Sequence, residues 1–232
     1  MGKLLLASVA VAALTGQAAA QERGINWTGS YLGVEAGAGF SRPGFDGDDR
    51  ASGSDFNDTG FVGGIYLGHD WQHERWIYGI SGNFDLLHFE NQVVEVPDPF
   101  FGGKTDTYSY DLNWVASLQG RLGYLANDNF LIYGTGGVAV TQVRATSEAP
   151  DTFAPFPPFI FPGGSDRVNA TRVGGVIGAG MEYAFNSKWS FRTEYVHYLF
   201  GPVHVGGGSS GANAVSFNPS FGTLTVGVAY HF

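Results

Sequence analysis

Apolar residues alternate with small or polar residues along eight segments of this chain, the period-2 pattern of β-strands with one apolar face. In the first segment Leu32, Val34 and Phe40 share one face, and Glu35 lies among glycines on the other. The eight segments span about 31–40, 61–71, 76–86, 108–122, 130–143, 172–183, 189–199 and 224–232. The fifth is interrupted by glycines, so its outward face stays undecided. The pattern predicts an all-β protein.

The two faces of these strands differ in a way that indicates their surroundings. The rows opposite the apolar ones carry glycine and charged residues, and the lumen of an eight-stranded cylinder is only wide enough for side chains to fill it. The large apolar rows must therefore point outward. In water they would form one continuous apolar patch, which soluble monomers avoid. We expect a closed, antiparallel, up-and-down barrel of eight strands that spans a membrane.

The connections between the segments alternate in length. Short ones lie near 74–75, 126–129 and 186–188, and long ones near 41–59, 88–107, 145–170 and 201–219. This alternation is typical of outer-membrane barrels, which have short periplasmic turns and long extracellular loops. Binding functions usually reside in such loops. The third loop is rich in Phe and Pro, and three roles stay open for it: packing across the barrel mouth, dipping into the outer leaflet, or binding a partner.

Aromatic residues cluster where this topology places a membrane interface. Trp71, Trp76, Tyr183 and Trp189 lie beside the predicted short turns, which predicts an aromatic girdle at headgroup level. The final strand ends with Val228, Tyr230 and Phe232 at alternate positions. A terminal aromatic on an amphipathic strand resembles the signal that the outer-membrane assembly machinery reads.

The N-terminal residues predict export. Lys3 precedes an apolar run at 4–14, and Ala18 and Ala20 form a small-residue cleavage site before Gln21. The run is too short to span a bilayer. We therefore expect a cleaved signal peptide at 1–20 and an outer-membrane barrel at 21–232, in a Gram-negative cell.

Composition excludes several function classes. The net charge of −9 argues against nucleic acid and against a polybasic membrane tether. The absence of cysteine rules out disulfides and thiolate sites. Thirty-six glycines with 15% aromatic residues suit curved strands with aromatic belts. The expected partners are outer-membrane lipids and lipopolysaccharide. No cofactor, metal site or peptidoglycan-binding domain is expected.

Short motifs in nearly every strand resemble one family. They are NWTGSYLG at 26–33, GHDWQ at 68–72, GRLGY at 120–124, YGTGG at 133–137, GAGMEY at 178–183, RTEY at 192–195 and GVAYHF at 227–232. They are similar to the motifs of the small alphaproteobacterial outer-membrane surface-antigen barrels, a porin-like or OmpA-like family. Ser30 and His231 depart from the family pattern. The resemblance implies an eight-stranded, surface-exposed structural barrel without catalytic residues.

Charged residues on the inward faces predict a polar network in the lumen. Its expected members are Glu35, Arg121, Arg172, Glu182, Arg192 and Glu194. A turn at 186–188 would set Glu182 opposite Arg192 and Gly180 opposite Glu194. Unpaired buried charges are costly, so these groups should pair and plug the lumen. The alternative is that rearranged pairs open a narrow diffusion pore.

An enzyme is the remote alternative. Two histidines, His69 and His197, are predicted on the lipid face, and His73 lies at a turn. His88 and His204 lie in or beside outer loops. The strand assignment brings no Ser/His/acid group together, so we expect no catalytic residues.

Overall fold

The structure is a computed structural model that describes residues 25–41, 44–46, 58–89, 92–98, 104–149, 152–155, 158–161, 164–205 and 215–232. The predicted signal peptide and much of the loop sequence lie outside these residues. Eight long strands run through the described part: β1 Gly29–Ser41, β2 Asp58–His73, β3 Trp76–Phe89, β4 Lys104–Asn127, β5 Phe130–Ala149, β6 Gly164–Ala184, β7 Trp189–Phe200 and β8 Phe221–His231. No helix among these residues is long and apolar enough to cross a membrane.

Each long strand pairs antiparallel with its neighbours in sequence, and the first strand pairs with the last. Val34 of β1 lies opposite Ile65 of β2 on one side and Val228 of β8 on the other. The ring is therefore closed, which confirms the predicted barrel. Closure satisfies the backbone N–H and C=O groups of every strand, as a membrane interior requires.

The three short turns lie at one end of the barrel, here called the turn end, and the opposite end is the loop end. Glu74 adopts a positive φ of 53° in the first turn. In the third turn Asn186 Oδ1 accepts hydrogen bonds from the backbone N–H groups of Lys188 (2.8 Å) and Trp189 (3.0 Å). Side-chain acceptors of this kind stabilise tight turns, since they satisfy free backbone donors.

The outward rows of the barrel are apolar, as the alternation predicted. Val34 is 62% exposed and Val173 is 72% exposed, although both lie in regular strands. The fifth strand, left undecided by its sequence, directs Leu131 and Tyr133 inward and Ile132 outward. The exposed apolar rows form the membrane-facing surface.

One part of the strand assignment is wrong. Unbroken alternation along the fourth segment would place Leu112 on the outward face with Leu118 and Leu122, and Asp111 and Asn113 on the inward face with Arg121. Leu112 is instead buried in the lumen, and Asp111 and Asn113 are exposed. The β4–β5 register shifts between Leu112 and Val115. An extra residue at this irregularity reverses the alternation above it, so every side chain beyond it changes face.

Additional short strands lie towards the loop end. Gln92–Asp98 pairs with β4, and Gly44–Asp46, Val203–Val205 and Val215–Asn218 form a separate three-stranded sheet. Thr152–Pro155 and Pro158–Phe161 pair antiparallel with each other. The strands β4, β5 and β6 have 24, 20 and 21 residues, against 11 to 13 in β1, β7 and β8. The longer strands β4, β5 and β6 make this side of the barrel taller. The residues of β5 and β6 that face outward beyond Val173, towards the loop end, are polar and exposed: Thr171, Asn169, Arg167 and Arg144.

An arginine placed on the membrane-facing surface should destabilise the barrel according to its depth. We expect Val34→Arg, halfway along β1, to cost about 2–4 kcal/mol, and Thr171→Arg, beyond the apolar row of β6, about 0–1 kcal/mol. Reversible urea unfolding in lipid vesicles measures both. Equal losses in the two variants would contradict the assigned membrane face.

Candidate functional site

The lumen is the candidate site, because it gathers the buried charges that the sequence singled out. It is filled in three layers. The turn-end cluster is apolar and consists of Trp27, Ile77, Leu125, Leu131, Tyr133 and Ala184. The loop-end cluster is also apolar and consists of Val62, Leu87, Leu112, Val115, Ala139, Val143, Val176, Val196, Tyr198, Phe200 and Phe221. Between them lies a polar layer.

The first ion-pair group of the polar layer centres on Arg121. Its guanidinium donates to Asp70 Oδ2 at 3.0 Å and to Glu182 Oε2. It also lies 3.9 Å from the centroid of the Tyr133 ring. Because all these groups are buried, the two carboxylates and the aromatic face replace the water that the cation would otherwise bind.

The second group centres on Arg192. Its Nη2 atom lies 2.9 Å from Glu35 Oε2 and 3.4 Å from Glu194 Oε2. The guanidinium carbon lies 3.2 Å from the centroid of the Tyr66 ring. Thr225 Oγ1 donates to Glu35 at 3.0 Å, and Tyr133 Oη donates to Glu194 at 3.3 Å. These neutral donors therefore share the carboxylate oxygens that Arg192 binds.

The strand register matches the expected one, but the ion pairs do not follow it. Glu182 lies opposite Arg192, and Gly180 lies opposite Glu194. Glu182 nevertheless binds Arg121 of β4, and Arg192 binds Glu35 of β1. Long side chains in a narrow lumen reach strands that are not their neighbours, so register alone does not determine the pairing.

Tyrosine rings lie against glycines on the neighbouring strands. Tyr66 lies directly opposite Gly33, and Tyr31 opposite Gly68. A Cβ atom at either glycine would overlap the facing ring. At Gly180, which lies opposite Glu194, a Cβ atom would lie 2.6 Å from Tyr133 Cζ. The Tyr133 ring, and not the Glu194 side chain, therefore fills the space beside Gly180. These glycines position the rings on which both arginines lie.

Arg172 is the predicted member that the structure leaves outside the network. It is half-buried near the loop end, opposite Thr141, with no ion pair to another described residue. Its strand position is inward, as expected. Along β6, Val176 of the loop-end cluster lies between Arg172 and Glu182.

Several lumen residues were missed by the sequence analysis. Alternation along the second and third segments also places Asp70 and Asp85 on inward faces, but the predicted network did not include them. Alternation also places Ser190 on an inward face, and His231 was noted only as a departure from the family pattern. Neither was assigned to the network, although each alternates with an outward aromatic residue. All four residues occupy inward-facing positions in the alternation of their strands, and this was the signal that could have identified them as lumen residues.

Ser190, Glu182 and His231 meet near the turn end, contrary to the expectation that no Ser/His/acid group converges. Ser190 Oγ donates to Glu182 Oε1 at 2.5 Å and lies 2.9 Å from His231 Nε2. Glu182 Oε1 lies 3.5 Å from the same Nε2 atom. A hydrolytic triad needs the acid and the serine on opposite ring nitrogens. This contact therefore lacks the triad geometry.

Trp27, which precedes β1, closes the lumen at the turn end. Its backbone N–H donates to Gln72 Oε1 at 2.9 Å, and its indole N–H donates to the Asp128 carbonyl at 3.1 Å. The indole also packs edge-on against His231, with 6.1 Å between ring centroids. Hydrogen bonds to Gln72 and Asp128 therefore hold Trp27 across the turn end of the lumen.

The residues of the predicted girdle are all exposed on the outer face near the turn end. Trp71 stacks on Tyr78, Trp76 lies edge-on to Tyr124, and Trp189 lies edge-on to Tyr230. His69 also faces outward and lies 2.9 Å from Ser30 Oγ. Aromatic pairs of this kind span neighbouring strands and suit a membrane interface.

Removal of one arginine should leave two buried carboxylates without a cation. We expect Arg121→Met to cost about 3–5 kcal/mol, because Asp70 and Glu182 lose their charge partner. The triple variant R121M/D70N/E182Q should recover most of that loss. Urea unfolding in micelles measures the free energy of unfolding of each variant. Arg144→Met, which removes an exposed arginine, is the control, and its free energy of unfolding should stay within about 0.5 kcal/mol of the parent value. An unaltered stability of Arg121→Met would contradict the pairing.

A methyl group at Gly33 should displace the Tyr66 ring from Arg192. We expect Gly33→Ala to cost about 1–3 kcal/mol through overpacking. Gly175→Ala is the matched control, since nothing lies within 4 Å of a Cβ at that position, and we expect a change within about 0.5 kcal/mol. The same unfolding assay compares them, and equal costs would show that the ring contact is unimportant.

Comparison with known proteins adds independent findings. Residues 6–232 match the family model described as outer membrane protein beta-barrel domain. The 31 kDa outer-membrane immunogenic protein of Brucella melitensis is 30% identical over 98% of this chain and 93% of its own length. The 22 kDa outer membrane protein of Rhizobium leguminosarum bv. viciae is 30% identical over 73% of this chain and 63% of its own length.

The fold has a solved counterpart. The outer membrane protein OprG of Pseudomonas aeruginosa superposes with a TM-score of 0.52 at 13% identity, covering 90% of this chain and 98% of that one. This likeness concerns the fold alone. The closed eight-stranded ring, the apolar exterior and the match to the family model lead to one conclusion. The chain belongs to the outer membrane protein β-barrel family, among the alphaproteobacterial surface antigens, and is a protein of the cell outer membrane.

Proposed function

We propose that the protein is a sealed structural barrel that strengthens the outer membrane and carries its long loops at the cell surface. The observation that supports this is the filling of the lumen, in which two apolar clusters enclose the ion pairs. A solute would have to displace both clusters and the polar layer between them.

The loop-end cluster supports sealing on the outer side. Tyr198, Phe200 and Phe221 stack on one another, with 4.8 Å between the Tyr198 and Phe221 centroids and 6.2 Å between those of Phe200 and Phe221. Val115 is fully buried beside them. Apolar constrictions exclude water and ions even where a narrow gap remains.

The polar layer supports a closed lumen for a different reason. Both arginines are bound by two carboxylates and an aromatic face, so opening a pore would require buried pairs to break. Loss of a partner from a buried pair costs about 3–5 kcal/mol. A narrow, porin-like diffusion channel is the alternative, and it would require these contacts to rearrange.

The buried state of the lumen also supports a non-enzymatic role. Ser190 is fully buried and donates to Glu182, which leaves its hydroxyl without access to a substrate. A lipid-modifying activity would need a reactive group at the outer surface. We therefore assign no catalytic residue.

The remaining proposals concern biogenesis and lipid contact. Removal of residues 1–20, with Ala18 and Ala20 at the cleavage site, would give a mature chain that starts at Gln21. Val228 and Phe232 are exposed on the outer face of β8, and Tyr230 is half-buried beside them. There the assembly machinery could read them as a terminal signal. The apolar exterior would contact membrane lipids and lipopolysaccharide, while any protein partner would bind the loops.

Conductance tests the sealed lumen. The purified protein in planar bilayers should show no stable single-channel steps, whereas Phe221→Ala should raise the frequency of openings because it removes a ring of the loop-end cluster. Phe84→Ala, on the outer face, is the matched control and should behave like the parent. Large, stable steps from the parent protein would favour the diffusion channel instead.

A further inference from the structure

The polar layer contains more acids than bases. Five carboxylates and two guanidiniums lie in it, all at most 7% exposed: Glu35, Asp70, Asp85, Glu182, Glu194, Arg121 and Arg192. Each arginine binds two carboxylates, which accounts for four of the five. Asp85 is the fifth, and within the described ranges no cation contacts it.

Asp85 is buried beside a second acid, and the hydrogen bond that it accepts comes from a neutral donor. Tyr198 Oη donates to its Oδ2 atom at 3.4 Å. Asp85 and Glu35 both lie directly opposite Gly64, on its two neighbouring strands, and both are buried in the lumen. Asp85 Oδ1 fills the space that a Cβ atom at Gly64 would occupy. Two ionised carboxylates are both acceptors, so a hydrogen bond can join them only when one carries a proton. The Oδ1 atom of Asp85 has no hydrogen-bond partner in the described chain, so no donor there stabilises a negative charge on it.

The described residues around Asp85 offer no other way to balance its charge. From β7, Arg192 and Tyr198 face Asp85, and Arg192 already binds Glu35 and Glu194. From β1, Glu35 adds a second negative charge. The residues directly opposite on β2 and β4, Gly64 and Val115, are not titratable. No group of three or more histidine or acidic side chains in the described part could hold a metal ion.

We propose that Asp85 and Glu35 share one proton in the folded barrel, with Asp85 as the carboxylic acid and Glu35 as the acceptor. An aspartate of the unfolded chain is ionised at neutral pH, because its carboxyl group titrates at about pH 4. Folding therefore takes up one proton from solvent, and unfolding releases it. The bound proton keeps two like charges from meeting directly beneath the loop-end cluster.

Infrared spectroscopy detects the proton directly. The folded protein at neutral pH should show the carbonyl stretch of a protonated carboxylic acid, and Asp85→Asn should abolish it. Asp70→Asn is the matched control: it also neutralises a buried aspartate, but one bound to Arg121, and should leave the band in place. Glu35→Gln removes the acceptor and offers a second variant that should lose the band if Asp85→Asn does not fold.

The pH dependence of stability gives a second readout. The folded state of the parent holds one proton more than the unfolded state, so the unfolding equilibrium constant should rise with pH above about pH 4, by up to about tenfold per pH unit. Asp85→Asn should lack this contribution, whereas Asp70→Asn should keep it.

Two results would overturn the proposal. One is an acid band that persists in Asp85→Asn or is absent from the parent. The other is a parent unfolding midpoint that rises with added sodium, potassium or calcium ions and does so less in Asp85→Asn. That result would place a cation, rather than a proton, beside the carboxyl pair.

Discussion

Closure of the ring is the constraint from which the other features follow. A strand in a membrane finds no water for its N–H and C=O groups, so β1 must pair with β8 as well as with β2. Eight strands closed in this way leave a lumen just wide enough for side chains. Whatever faces inward must then be packed without water. The charges of the polar layer are consequently paired, and the apolar clusters close both ends.

The interior is organised around two arginines. Each lies on a tyrosine ring, and each ring occupies the space that a glycine leaves on a neighbouring strand. The carboxylates come from five different strands, namely β1, β2, β3, β6 and β7. A network of this kind links most of the circumference, so it stabilises one arrangement of the ring. The sealed barrel proposed here rests on that arrangement together with the stacked rings of the loop-end cluster.

The acid excess gives the polar layer a further property. Ion pairs alone would leave Asp85 as an uncompensated charge beside Glu35, at the boundary with the apolar cluster. A shared proton lets the layer be acidic without placing like charges in contact. Proton binding and the packing of the loop-end cluster would then be coupled, because Tyr198 belongs to both.

The sequence by itself determined the strands, the short turns, the apolar exterior and the register of Glu182 with Arg192, because alternation and turn spacing are local properties. It did not reveal the irregularity between Leu112 and Val115, since nothing in that segment marks where the ladder shifts. Only the tertiary structure decided which carboxylate binds which arginine, why Arg172 stands apart and how Trp27 closes the turn end. Those contacts cross the lumen between strands that are distant in sequence, and their geometry exists only once the ring has closed.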